Sequence, residues 1–226
     1  MNEAKFVDFH THLNWQTPLL VPENVLRIVS TPVTCKALPV PQNIIQTLEL
    51  HPWEGVFLTD DFKQKAADVR FGGIGEVGLD RIKGKLPLEQ QMEIFTQAAV
   101  LAQKLNKTLT IHCVKCFSEL LAIYKKLRWQ VPTVIHYFRG NLALAQQLWQ
   151  HTDFILSLPP AINNQPQVLE FLRQNPQFLD RIVLETDDPD SGDIIQHYHR
   201  IAEQIAVKPE KLQKIMLEQL ERLYHV

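Results

Sequence analysis

Short apolar runs alternate with amphipathic stretches from Leu88 to Tyr224, and this rhythm restricts the fold more than any other feature of the chain. Leu88–Leu105 carries apolar residues at helical spacing, with Pro87 before it and Asn106 after it. Thr108–His112 then reads as a strand, Ser118–Leu127 as a helix, Thr133–Tyr137 as a strand and Leu142–Trp149 as a helix. Phe154–Leu158 is a strand, Gln167–Gln174 a helix stopped by Asn175-Pro176, and Arg181–Thr186 a strand. Ile194–Ile205 and Lys208–Tyr224 are closing helices. Apolar strands separated by helices are the sequence form of parallel βα units.

The first half adds strands over Lys5–Leu13, Val25–Val33, Asn43–His51 and Arg70–Asp80, with a short helix over Phe62–Val69. About a dozen residues separate the first two strands, too few for a crossover helix and its loops. Eight βα units predict a compact (β/α)8 TIM barrel with shortened first crossovers. A doubly wound open sheet is the second reading, but no G-x-G-x-x-G follows the first strand. The 226 residues, 45% of them hydrophobic, suit a single domain over 1–226 with a large core.

The net charge of −2 gives no overall basic excess, so any contact with phosphates must be local. The N-terminus enters a strand without a charged-then-apolar leader. No apolar run approaches the ~20 residues a membrane span needs. Three cysteines fit a reducing compartment better than a disulfide framework. The expectation is a cytoplasmic protein with no membrane attachment and no obligate protein partner.

Chemistry concentrates at the strand ends. In Lys5–Leu13 (K-F-V-D-F-H-T-H-L) a period of two puts Asp8, His10 and His12 on one face. Two such imidazoles can bind one divalent metal, with Asp8 as an orienting acceptor. Later strands end in His51, Glu76, His112, His136 and Asp187. In a barrel these ends converge on the catalytic face. Imidazoles and carboxylates there are costly to bury without partners, and divalent metal satisfies them. One carboxylate shared by two ions suits a dinuclear site.

The pieces D-F-H-T-H-L (8–13), L-H-P-W (50–53), G-E-V-G-L-D (75–80), I-H-C (111–113), I-H-Y-F-R-G (135–140) and L-E-T-D-D-P (184–189) occur in that order. With them the chain resembles the TatD family of metal-dependent deoxyribonucleases, within the amidohydrolase-like barrels. The resemblance implies that His10, His12 and Asp187 bind a first divalent ion, that His112 and His136 bind a second, and that Glu76 bridges the two. It implies a hydrolase of phosphodiester bonds with DNA as substrate, in which Asp187 takes the proton of the attacking water. Zn²⁺ suits the imidazoles, and Mg²⁺ or Mn²⁺ suits the carboxylates and phosphoryl chemistry. His51 and Asp80 are then candidates for orienting ligands or touching substrate, Asp80 being equally a loop cap.

The family follows its sixth-strand histidine with Cys-Phe-Ser-Gly, where this chain has Tyr137-Phe138-Arg139-Gly140. Arg139 is either a bidentate phosphate clamp or a solvated loop charge. The arginine-bearing stretch usual after the eighth strand is replaced by the acidic Asp188–Asp193. A second class of activity, on a smaller phosphoester or a carboxyl derivative, and a third, metal binding without turnover, therefore stand beside the first. Cys113-x-x-Cys116 lacks the second pair a zinc ribbon needs, which leaves Cys113 as a packed small residue. Arg81, Lys83 and Lys85 form a basic cluster that either faces the site and attracts phosphate or, as the favoured reading, is a solvated loop. His151, His197, His199 and His225 read as surface residues.

Overall fold

The computed structural model describes residues 5–13, 22–35, 40–188 and 193–225. Its strands are β1 (Phe6–Thr11), β2 (Val25–Pro32), β3 (Ile44–Leu50), β4 (Phe71–Asp80), β5 (Thr108–Val114), β6 (Thr133–Ile135), β7 (Ile155–Leu158) and β8 (Ile182–Leu184). Its helices are α1 (Asp60–Ala66), α2 (Leu88–Leu105), α3 (Phe117–Leu127), α4 (Leu142–His151), α5 (Pro166–Gln174), α6 (Ile194–Gln204) and α7 (Pro209–Tyr224). The sheet order is β1 through β8 without reversal, and each assigned pairing is parallel. Thr11 at the end of β1 bridges Asp187, beyond β8. This is (β/α)8 connectivity. A doubly wound sheet reverses its order midway, so that alternative is excluded.

Two of the differences from expectation have local reasons. Helix α1 starts and ends earlier than Phe62–Val69, because Thr59 caps it by accepting from the Phe62 amide at 3.2 Å, with Asp60 and Asp61 in the first turn. Strand β8 is shorter than Arg181–Thr186, because Pro176–Arg181 coils as a 3-10 helix before it. A second 3-10 helix, Pro160–Asn164, follows β7. The shortened first crossover falls at residues 14–21, outside the described residues.

The chain divides into two compact units, the first comprising Met1–Val29, Val40–Ile45 and Tyr137–Val226, and the second Ser30–Pro39 and Gln46–His136. In the first, β1 registers Phe6 against Val25 and Asp8 against Arg27, while β7 registers Ser157 against Val183. Helix α6 turns Ile194, Tyr198 and Ile201 inward, and the Tyr198 hydroxyl donates to the Val7 carbonyl at 2.9 Å and accepts from its amide at 3.1 Å. That pair of bonds fixes the start of the strand that carries His10.

In the second unit, β4 lies between β3 and β5. Gly78 permits its close approach to β5, since a Cβ there would sit 1.9 Å from the His112 carbonyl oxygen. The β4–β5 register shifts between Ile74 and Val77, around Glu76. Irregularities of this kind re-aim a side chain relative to the regular pleat. Helix α2 buries Ile94, Phe95, Ala98, Ala99 and Ala102. Its Gln91 clamps the end of β4, accepting from the Asp80 amide at 2.8 Å and donating to the Asp80 carbonyl at 3.1 Å.

Candidate functional site

The second unit gathers its imidazoles around one carboxylate. Glu76, buried on β4, places Oε1 3.1 Å from His51 Nε2 and 3.4 Å from His136 Nε2, and in contact with His112 Nδ1. Its backbone amide donates to the Ser30 hydroxyl at 3.0 Å, and that hydroxyl donates to buried Glu49 at 2.7 Å. The protons in this cluster can be assigned from its partners. The Trp53 amide donates to His51 Nδ1 at 3.1 Å. A neutral His51 therefore carries its proton on Nε2 and donates it to Glu76.

His112 is arranged the other way round. Its Nε2 lies 3.0 Å from Asp80 Oδ2. Burial alone would raise the Asp80 pKa, but bonds from the Trp53 indole, the Lys83 amide, His112 and the Ile82 amide outweigh it and hold the carboxyl at about 2. Asp80 is thus an acceptor only, and His112 donates from Nε2, which leaves a lone pair on Nδ1 facing Glu76 Oε1. A lone-pair nitrogen and a carboxylate oxygen in contact require a proton or a cation between them. Candidate ligand atoms of His51, Glu76 and His112 lie within 4.8 Å of one another. The tautomers separate these three: Glu76 and His112 offer lone pairs to a metal, whereas His51 offers a proton to Glu76. Asp80 behind His112 completes the carboxylate–imidazole arrangement typical of metal-ligating histidines.

The first unit brings together His10, His12 and Asp187. The two Nε2 atoms are 3.3 Å apart, and Asp187 Oδ1 lies 3.7 Å from His10 Nε2 and 3.8 Å from His12 Nε2. Reciprocal backbone bonds set this geometry, the His12 amide to the Asp187 carbonyl at 2.8 Å and the Asp187 amide to the His10 carbonyl at 2.9 Å. Asp187 has φ of +69° and Tyr137, directly after His136, has φ of +50°. Both are left-handed conformations that non-glycine residues adopt rarely and that occur often at functional sites. Below this cluster Asp8 accepts from the Thr186 amide at 2.8 Å and the Thr186 hydroxyl at 2.7 Å. Burial nevertheless pushes its carboxyl up to about 7. Two nitrogens and a carboxylate oxygen facing one point form a donor set suited to a divalent ion.

Weaker sequence signals resolve as follows. Arg139 is exposed, and its guanidinium lies 4.8 Å over the Tyr137 ring. Arg81 pairs with Glu119, and Lys83 lies over the Trp53 ring at 4.3 Å. Asp80 proves to be both cap and orienting group, accepting from the Ile82 amide at 2.7 Å and the Lys83 amide at 2.8 Å. Cys113 is half-buried, with its thiol pKa pushed up by burial and by Cys116. His151, His199 and His225 are exposed, but His197 is not. It faces inward on α6 and bonds the Leu158 carbonyl at 2.9 Å through Nε2. The spacing Ile194, His197, Tyr198, Ile201 already carries that signal. Sequence reasoning also missed Trp53 as a neighbour of the cluster, the Ser30–Glu49 pair, and Glu185, which accepts from the Tyr137 amide at 2.7 Å and from Ser157.

Comparison with known proteins agrees with this fold. A family model described as "TatD related DNase" matches residues 33–225. An "uncharacterized metal-dependent hydrolase", YabD of Bacillus subtilis, is 27% identical over 205 residues, 80% of this chain and 79% of that protein. The fold is shared with YJJV, a TatD homologue of Escherichia coli, at a TM-score of 0.79 and 19% identity, over 99% of both chains. It is shared also with a TatD family hydrolase of Entamoeba histolytica, at a TM-score of 0.71 and 15% identity over 98% of both. With the family match spanning most of its length and the same barrel beneath it, this chain belongs to the TatD-related DNase family.

Proposed function

We propose that residues 1–226 act as one metal-dependent hydrolase domain that cuts phosphodiester bonds, with DNA as substrate. The contact between Glu76 Oε1 and His112 Nδ1 carries the metal reading, because two acceptors so placed call for a proton or a cation, and a divalent ion satisfies both. One divalent ion would be held by Glu76, His112 and His136, and another by His10, His12 and Asp187. Bound divalent ions stabilise charge on a phosphoryl group and lower the pKa of water towards ~7. The side chains supply the rest. Asp80 fixes the His112 ring by taking its Nε2 proton, and His51 steadies the Glu76 carboxylate. The partly open carboxylate of Asp187 accepts the proton of the attacking water. Family membership supports the phosphodiester as the bond broken. Among the described residues no helix is long and apolar enough to cross a membrane, and together with the sparse cysteines this supports a cytoplasmic setting.

The test is hydrolysis of single-stranded DNA by metal-stripped protein, reconstituted separately with Mg²⁺, Mn²⁺ or Zn²⁺, beside Asp187→Asn. Nucleotide release should require metal and fall about 10²-fold or more in the variant, the usual contribution of a positioned base. Absence of release with two ions bound would move the substrate to a smaller phosphoester or a carboxyl derivative.

A further inference from the structure

Trp53 is 40% exposed, yet its ring is firmly held. The indole Nε1 donates to Asp80 Oδ2 at 2.6 Å. The ring packs edge-on against His51, 4.8 Å between centroids, and against His112, 5.8 Å away. The indole is therefore anchored on the wall of the Glu76 cluster while much of it meets solvent. Lys83 places its ammonium 4.3 Å from the ring centroid, and its backbone amide binds the same Asp80 carboxylate. Aromatic plane and cation thus share one anchor. Phe57 and Ile82, near Trp53 and Lys83 in sequence, are also exposed, at 55% and 68%. Of the basic cluster, Arg81 is committed to Glu119, and Lys83 is the cation that lies over the indole.

An exposed, immobilised aromatic with a flexible cation over its face is a minimal element for holding single-stranded nucleic acid. A base takes the ring face by stacking as the lysine swings from it to the backbone phosphate. We infer that Trp53 and Lys83 form a stacking platform for a nucleobase next to the scissile phosphate, with Lys83 engaging the adjoining phosphate. The inference rests on the phosphodiesterase reading above and sharpens it. Every base presents a π-face, so the platform selects for the presence of a base rather than for its identity.

The experiment compares kcat/KM of metal-loaded protein on a short single strand and on the same backbone carrying abasic residues, for wild type, Trp53→Ala, Trp53→Phe and Lys83→Gln. Bound metal is measured in each. Wild type should prefer the base-bearing strand at least about fivefold, the low end for one base on an aromatic ring. Trp53→Ala should abolish the preference, Trp53→Phe should keep most of it, and Lys83→Gln should weaken both strands and reduce the salt dependence. A wild type that cuts both strands equally well overturns the platform and leaves the nuclease intact. So does a Trp53→Phe variant that loses as much as Trp53→Ala on both strands together with its metal, since the indole would then act only through Asp80. A wild type that cuts neither strand refutes the phosphodiester reading itself, and the platform with it.

Discussion

The two imidazole–carboxylate clusters differ in how tightly they are closed. In the second unit Glu76, His112, His136 and His51 are buried and touch directly, and His51 and His112 are each fixed by a further partner, the Trp53 amide and Asp80. In the first unit the separations run from 3.3 to 3.8 Å, the His12 side chain is 41% exposed and the Asp187 side chain 29%. A closed cluster has its proton positions and ring orientations set before anything binds, so a cation entering it loses little to reorganisation. In the first unit His12 and Asp187 reach solvent beside the buried His10, which suits the place where water and substrate arrive. Under the proposed function, this contrast would give tight metal retention to the Glu76 cluster and turnover chemistry to Asp187.

The sharpest way to break that assignment is Glu76→Gln. The amide keeps the size and can still accept from His51, but it removes the charge at the point where His112 presents a lone pair. Elemental analysis should show the loss of at least one bound ion, and DNA hydrolysis should fall by at least about 10³-fold. Asp187→Asn, by contrast, should retain the ion of the closed cluster while losing rate. If Glu76→Gln kept its full metal content and Asp187→Asn lost it, the ranking of the two clusters would be reversed.

A smaller effect is expected at Asp80→Asn. The variant still accepts from the Ile82 and Lys83 amides, so the turn after β4 survives. The ionised acceptor behind His112 Nε2 is gone, however, and the ring is no longer held in one tautomer. Orienting carboxylates of this kind contribute about 10- to 100-fold to metal affinity. Competition with a chelating dye should report a loss in that range at unchanged stoichiometry. A variant that binds metal as tightly as wild type would show that His112 is held by packing alone.

Most of the candidate ligands were legible in the sequence because they stand at or near the C-terminal end of an apolar run, where a polar residue has no packing role. His10, His12, His112, His136 and Asp187 stand out in this way, whereas Glu76, in the middle of β4, is marked by its glycine-rich setting G-E-V-G-L-D. The rule fails for residues whose meaning depends on a strand distant in sequence. Ser30 matters because it lies between the Glu76 amide and Glu49, and Glu185 because it spans Ser157 and Tyr137. Neither pairing leaves a local pattern. Asp8 was readable as an inward carboxylate but not as the partner of Thr186, 178 residues away. Helix boundaries were legible where a cap is obvious, as in α2. They shifted where one hydroxyl, that of Thr59, started α1 early.

The gentlest test concerns His197, far from either cluster in sequence and buried by the apolar face of α6. Burial lowers its pKa from the ordinary 6.5, against the opposing pull of its bond to the Leu158 carbonyl. The unfolded chain therefore takes up a proton at a pH where the folded chain resists it. Its contribution to stability is complete above the ordinary histidine range and is lost as the pH falls below about 6.5. His197→Gln can preserve the donor to Leu158 and cannot titrate. Thermal unfolding of metal-free protein across roughly pH 5 to 7 should show wild type losing stability on acidification more steeply than the variant. At neutral pH the two should differ by no more than about 1 kcal/mol, the net worth of a hydrogen bond. Parallel slopes would mean that His197 accepts its proton in the folded state, through water or through Glu185, and that α6 is less tightly seated than its packing indicates.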